Sequence, residues 1–156
     1  MSECGFLGFT VVRGKIRWLE KKLVAFKHRV KELTGRSWGV SMEFRLYKLG
    51  QYVRGWVGYF GISEYYRPIP ELDEWIRRRI RMDYWKQWRW PRTKISHLLA
   101  LGVSLKTAIQ HGVSSKSYWH MARTPAMQQA LNNDWLQSQG VPNIKQLWCK
   151  AQGYTS

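Results

Sequence analysis

The densest chemistry in the chain lies between Leu72 and Lys94. There Arg77, Arg78, Arg79, Arg81, Lys86, Arg89, Arg92 and Lys94 are interleaved with Trp75, Tyr84, Trp85, Trp88 and Trp90. Guanidinium forks match phosphate oxygens, and flat aromatic faces stack on unpaired bases or on guanidinium planes. Together they are the chemistry of nucleic-acid binding. Four Trp beside eight basic residues are too many to face one bundle interior, so a basic–aromatic surface is expected. Arg78, Arg81, Trp85 and Arg89 recur at i, i+3, i+7 and i+11, one stripe of a helix. Arg45, Lys48, Tyr52 and Arg54 form a second candidate surface, which solvated charges around an amphipathic Tyr explain equally well.

Catalytic chemistry has little support. The ten acidic residues hold no general acid–base dyad: Glu71, Asp73 and Glu74 suit a helix start, and Asp83 has Arg79 four residues before it. His28, His97, His111 and His120 lack metal-ligand spacing. Ser114, Ser115 and Ser117 have no Ser–His–Asp partners, and no Gly-rich phosphate loop precedes a helix. Cys4 and Cys149 form neither a zinc ribbon nor a disulfide framework. The chain is therefore expected not to be an enzyme, and no metal or cofactor is implied.

The whole chain must carry these residues on a folded body. It has 156 residues, a formal charge of +16, 44% hydrophobic residues and ten Trp, which is too apolar for a basic disordered tail. Residues 1–95 hold 21 basic and 9 acidic residues, a balance of +12; residues 96–156 hold 5 and 1, a balance of +4. So strong a positive field calls for an acidic partner, and nucleic acid is the common one. No apolar run approaches the roughly 18 residues of a membrane span, and Met1 to Gly5 do not read as a signal peptide. A cytoplasmic protein without a membrane partner is expected.

The pattern along the chain is mainly α. Residues 5–12 read as a strand, Arg13-Gly14 as a turn, and Lys15-Ile16-Arg17 either as the return strand of a short hairpin or as the opening of a helix. Ile16, Leu19, Leu23, Phe26, Val30 and Leu33 space one amphipathic helix, ending at Thr34-Gly35. Met42, Leu46, Leu49, Val53, Trp56 and Phe60 space a second, capped by Ser41, interrupted by Gly50, Gly55 and Gly58, and stopped by Gly61. Trp56 is expected in the core. Those glycines suit a close backbone approach by protein or RNA. Leu72, Ile76 and Ile80 mark a third helix, punctuated at its start by Pro68 and Pro70 and ended by Pro91. A composition change places a boundary near residues 92–104. Beyond it, Ser104 to Gly112, Thr124-Pro125 to Gln139 and Asn143 onward read as shorter helices.

Leu49-Gly50-Gln51-Tyr52-Val53-Arg54-Gly55-Trp56-Val57-Gly58-Tyr59-Phe60 resembles the Tyr-x-Arg-Gly-Trp-x-x-Tyr-aromatic signature of group II intron maturases. Residues 72–81, followed by Trp85-Lys86-Gln87-Trp88, resemble that family's next motif, and Phe6-Leu7-Gly8-Phe9 resembles the strand that closes its reverse transcriptase palm. The resemblance implies a palm remnant over 1–17, the maturase-specific thumb, domain X, as a three-helix bundle over 18–95, and a small helical DNA-binding-like region over 104–156. The family's Asp-Asp polymerase strand and Cys-x-x-Cys nuclease pairs are absent, so neither chemistry is carried over. The expected function is binding of group II intron RNA and assistance to its folding and splicing. Arg45, Lys48, Tyr52, Arg54, Arg77, Arg78, Arg81, Trp85, Lys86 and Arg89 are its expected contacts. Target DNA, through the C-terminal region, is the alternative partner. A truncated, non-functional remnant of an intron reverse transcriptase is the other alternative, and the missing N-terminal reverse transcriptase part is a further expected partner.

Overall fold

A computed structural model describes residues 4–6, 9–12, 15–18, 20–60 and 68–153. Strands β1 (Cys4–Phe6), β2 (Phe9–Val12) and β3 (Lys15–Trp18) pair antiparallel in the order β1-β2-β3, with Phe6 opposite Phe9 and Val12 opposite Lys15. A three-stranded sheet thus stands where a two-stranded hairpin was expected, because Cys4–Phe6 and Phe9–Val12 are separate strands. Ile16 belongs to β3 and not to the first helix. The Arg13-Gly14 turn, Leu19 and the Gly61 stop lie outside the described residues.

The first two helical periodicities carry through to packing. Helix α1 (Glu20–Leu33) buries Phe26, Val30 and Leu33, and α2 (Met42–Phe60) buries Met42, Leu46, Leu49, Val53, Trp56 and Val57. Ser41 Oγ accepts from the Phe44 N–H at 3.2 Å, so the expected cap forms. Phe26 is the hinge of this pair: its ring lies 4.3 Å from Trp56 and 5.7 Å from Tyr52. Burying such a side chain contributes about 1.5–3 kcal/mol.

Helix α3 (Pro68–Gln87) is the axis of the molecule. It buries the expected Leu72, Ile76 and Ile80, and from Ile80 to Trp85 every residue is buried, polar ones included. A helix covered all round must be packed from all sides, and the segment after residue 100 supplies the cover. Pro91 does not end α3. The helix stops at Gln87, Arg89 adopts a left-handed conformation with φ +49, and Pro91 opens α4 (Pro91–Ala100) as its first residue.

Helix α4 forms a hairpin with α5 (Leu105–Gly112), which Ser104 caps as expected. A Cβ on Gly112 would lie 2.5 Å from the Ile95 side chain, so only glycine permits this crossing. After α6 (Tyr118–Met121), the helix expected from Pro125 to Gln139 is two: α7 (Pro125–Ala130) and α8 (Asn133–Gln139). Asn132 caps α8 by accepting from the Trp135 N–H at 2.8 Å. The break is held from outside, since Arg81 Nε donates to the Leu131 carbonyl at 2.8 Å. Gly140, at φ +107, ends α8, and Asn143 caps α9 (Ile144–Ala151).

One core runs through these helices, from Phe26 through Ile80 and Trp85 to Met127, Leu136 and Trp148. It continues across residues 92–104, where α4 and Leu98 lie. No described helix is long and apolar enough to cross a membrane.

Candidate nucleic-acid interface

The basic residues of α2 and α3 divide into those that the fold consumes and those that it leaves. The end of α1 has free carbonyls, as every helix end does. Arg45 Nη1 donates to the carbonyls of Gly35, at 2.8 Å, and Leu33, at 3.3 Å. Arg79 Nε donates to Thr34 Oγ1 at 2.8 Å, and that hydroxyl donates to Val30 O at 2.7 Å. Lys86 Nζ donates to the Arg36 carbonyl. Arg45 and Arg79 thus seal the negative end of one helix dipole, and Lys86 holds the connection that follows it.

Two more arginines tie α3 to the later helices. Arg78 donates through Nε and Nη2 to the Trp119 carbonyl, at 3.2 and 2.9 Å, while its guanidinium lies 3.7 Å from the Trp119 ring centroid. Arg81 donates to Leu131 O and, at 3.1 Å, to Asn133 Oδ1. Burial, with Arg77 nearby, pulls the Arg81 pKa down to about 10. Asp73 works in the opposite sense. It is buried and accepts from the N–H groups of Ile144, at 2.8 Å, and Lys145, at 3.0 Å. It therefore serves the positive end of α9 instead of its own helix start. Burial pushes its carboxyl up, against those two bonds.

Of the ten expected contacts, Arg45, Arg81 and Trp85 are internal in this structure and present almost no surface to a ligand. Tyr52 is half-buried against Phe26, and Arg78 and Lys86 are half-buried with carbonyl partners. Lys48, Arg54 and Arg89 are exposed, and Arg77 is half-exposed. The four Trp also divide: Trp85 and Trp88 are buried, Trp75 packs against the core, and Trp90 is 61% exposed. The buried Lys94 sits over the rings of Trp85, at 4.7 Å, and Tyr118, at 5.4 Å, and burial lowers its pKa. Of the glycines in α2, Gly55 and Gly58 are exposed and meet no described atom, whereas Gly50 accommodates the Arg54 guanidinium of the next turn.

One cleft of about 920 Å³ lies between the α1–α2 connection and α3. Lys31, Arg36 and Arg79 supply positive charge, Glu32, paired with Arg29, is the cleft's one carboxylate among the described residues, and Trp38, Trp75 and Trp119 supply flat apolar walls. None of these cations and indoles was among the ten expected contacts, although Trp75 and Arg79 lie in the basic–aromatic segment read from the sequence. Trp119 is 41 residues from Arg78 in sequence, so only the fold brings them together; Arg36 and Trp38 stand in a connection without periodicity to mark them. Among the described residues, no group of His, Cys, Asp or Glu could hold a metal ion.

The comparison with curated proteins returned no match. Residues 23–101, half of the 156, match the family described as group II intron, maturase-specific domain. That span contains α2, α3, α4 and all but three residues of α1, and with them most of the cleft's basic and aromatic residues. The chain belongs to the group II intron maturase-specific domain family.

Proposed function

We propose that the chain is an RNA-binding maturase module that holds group II intron RNA in its folded form and so assists splicing, with residues 18–95 as the thumb-like grip. The observation that carries this reading is the cleft of Lys31, Arg36 and Arg79 with Trp38, Trp75 and Trp119, within a family of intron maturases. Lys31 and Arg36, whose side chains donate no hydrogen bond among the described residues, neutralise phosphates, and indole faces accept unstacked bases. Arg79 adds its charge, although it is bonded to Thr34. A protein that binds the folded RNA more tightly than the unfolded RNA shifts the equilibrium by that ratio of affinities. The RNA supplies the reacting groups, and the chain acts by binding alone, in the cytoplasm with the transcript.

The test is binding of the full chain to a folded group II intron RNA as a function of salt. Replacing Lys31 and Arg36 together by Gln should weaken binding and flatten the log–log salt slope by roughly 0.7–0.9 for each lost phosphate contact. Unchanged affinity and slope would remove the cleft from the interface. Tighter binding to target DNA than to the intron RNA would favour the DNA-targeting alternative.

A further inference from the structure

Two smaller clefts adjoin along α3 and share Arg78 and Arg123 as a common wall. The first, of about 350 Å³, gathers Arg77, Arg78, Arg81 and Arg123, with Glu74 as its one carboxylate. The second, of about 370 Å³, is lined by Trp119 and His120 beside the same two arginines. Arg77 and Arg78 belong to α3, whereas Arg123, Trp119 and His120 belong to the α6–α7 segment. The site therefore exists only where the two parts of the chain meet.

Four guanidiniums around one carboxylate repel one another, and the fold offers them little relief. Arg78 and Arg81 each spend two donors on protein oxygens, which fixes their planes and leaves Nη1 uncommitted among the described residues. The side chains of Arg77 and Arg123 have no hydrogen bond or ion pair among those residues. Fixed forks beside free cations suit a phosphate, whose oxygens accept several donors at once. Trp119 adds the other half of a nucleotide. Arg78 covers one part of the indole at 3.7 Å and holds the ring in place, and the half-exposed ring lines the neighbouring cleft. A duplex keeps its bases stacked inside, so a cleft of this size beside a phosphate site fits a single unstacked base.

We propose that the paired clefts form a subsite for one unstacked RNA nucleotide, its phosphate among Arg77, Arg78 and Arg123, with the buried Arg81 adding positive charge behind them, and its base against Trp119, with His120 at the edge. This rests on the maturase reading and deepens it: the α6–α7 segment takes part in holding RNA, and the recognised feature is a single-stranded nucleotide.

The experiment uses the full chain, a folded intron RNA, and a single-stranded RNA about 12 nucleotides long with its DNA counterpart. Arg77→Gln with Arg123→Gln should weaken binding to the single-stranded RNA about tenfold and flatten its salt slope by about 1.4, two single-strand phosphate contacts. Trp119→Leu should weaken it about five- to tenfold with the slope unchanged, because stacking releases no counterions. Trp119→Phe, which keeps a flat ring, should recover most of that loss. An oligonucleotide carrying 5-iodouridine should crosslink to Trp119. Wild-type affinity and slope in the double variant, at an unchanged melting temperature, would overturn the subsite, as would losses confined to DNA or equal losses on a fully paired RNA hairpin. Binding of intron RNA without binding of the single strand would overturn the subsite and leave the maturase reading standing. Binding of neither RNA would overturn both.

Discussion

Asp83 is the residue on which the interior electrostatics turn. Its carboxylate is buried 3.5 Å from Arg45 Nη1, and neither oxygen accepts a hydrogen bond among the described residues. Burial pushes its pKa up to about 7, although Arg45, Arg79, Lys86 and Arg36 all favour the charged form. Arg45 meanwhile already satisfies two carbonyls at the end of α1. Unfolded, the same carboxyl would titrate near about 3.9. Between about pH 4 and pH 7 the folded chain then holds a proton that the unfolded chain has lost. Stability must fall as pH rises through that window and level off above it. Urea unfolding across pH 4.5 to 7.5 should show the fall, and Asp83→Asn should lose most of it. The slope left in the variant has the same sign and comes from Asp73, whose carboxyl burial also pushes up. A wild-type stability that rises over this range would contradict the assignment.

At the scale of elements, arginines of α3 finish helices that do not finish themselves. Helix α7 has no basic residue in its last turn, and the carbonyl of Leu131, which follows it, is taken by Arg81. Arg81→Ala should cost about 2–4 kcal/mol in chemical unfolding, because it leaves that carbonyl buried and unpaired; a loss below half a kcal/mol would show that the break holds itself. Asp73→Ala should likewise cost about 1–3 kcal/mol by exposing two N–H groups of α9, with part of the loss recovered by Asp73→Asn. Arg89 offers the opposite sign. At φ +49 after α3, a glycine would avoid about 1 kcal/mol of strain. Arg89→Gly should therefore raise stability slightly while weakening RNA binding, if the exposed arginine is kept there for a phosphate; stabilisation without a binding change would leave it no role in the interface. These contacts also mark the limit of what was legible in the chain. Spacing revealed the cores of α1 and α2, and Ser41, Ser104, Asn143 and Gly140 marked ends correctly, because such signals act within a few residues. The roles of Arg45, Asp73, Arg78 and Arg81 were not legible. Their partners lie 10 to 72 residues away, and a buried guanidinium on a carbonyl has the same local pattern as an exposed one awaiting a phosphate.

For the molecule as a whole, the question is whether the residues beyond 104 form a separate piece. Their composition differs and their charge balance is only +4, yet Met127, Leu131, Leu136, Ile144 and Trp148 lie in the same core cluster as Leu49, Ile76 and Trp85. Helix α9 packs on both α2 and α3, and α6 packs on α3. Cutting the chain after residue 103 would uncover the polar, fully covered half of α3. Arg81 would lose both of its partners, Asp73 would lose both of its donors, and Tyr84 would lose its edge contact with Trp135. Losses of about 1–3 kcal/mol at each such group compare with a total stability of about 5–15 kcal/mol for a domain of ordinary size. The full chain should accordingly unfold in one transition, with far-ultraviolet circular dichroism and Trp fluorescence giving the same midpoint. The chain ending at residue 103 should melt far lower or without cooperativity. Two separated transitions, or a shortened chain that keeps the full melting temperature, would establish independent units. Because the expected outcome couples the two parts, the division of labour between RNA and DNA has to be read from surface substitutions in the intact chain. Lys31 and Arg36 on one cleft, and Arg77 and Arg123 on the other, are the pairs whose removal leaves the core untouched.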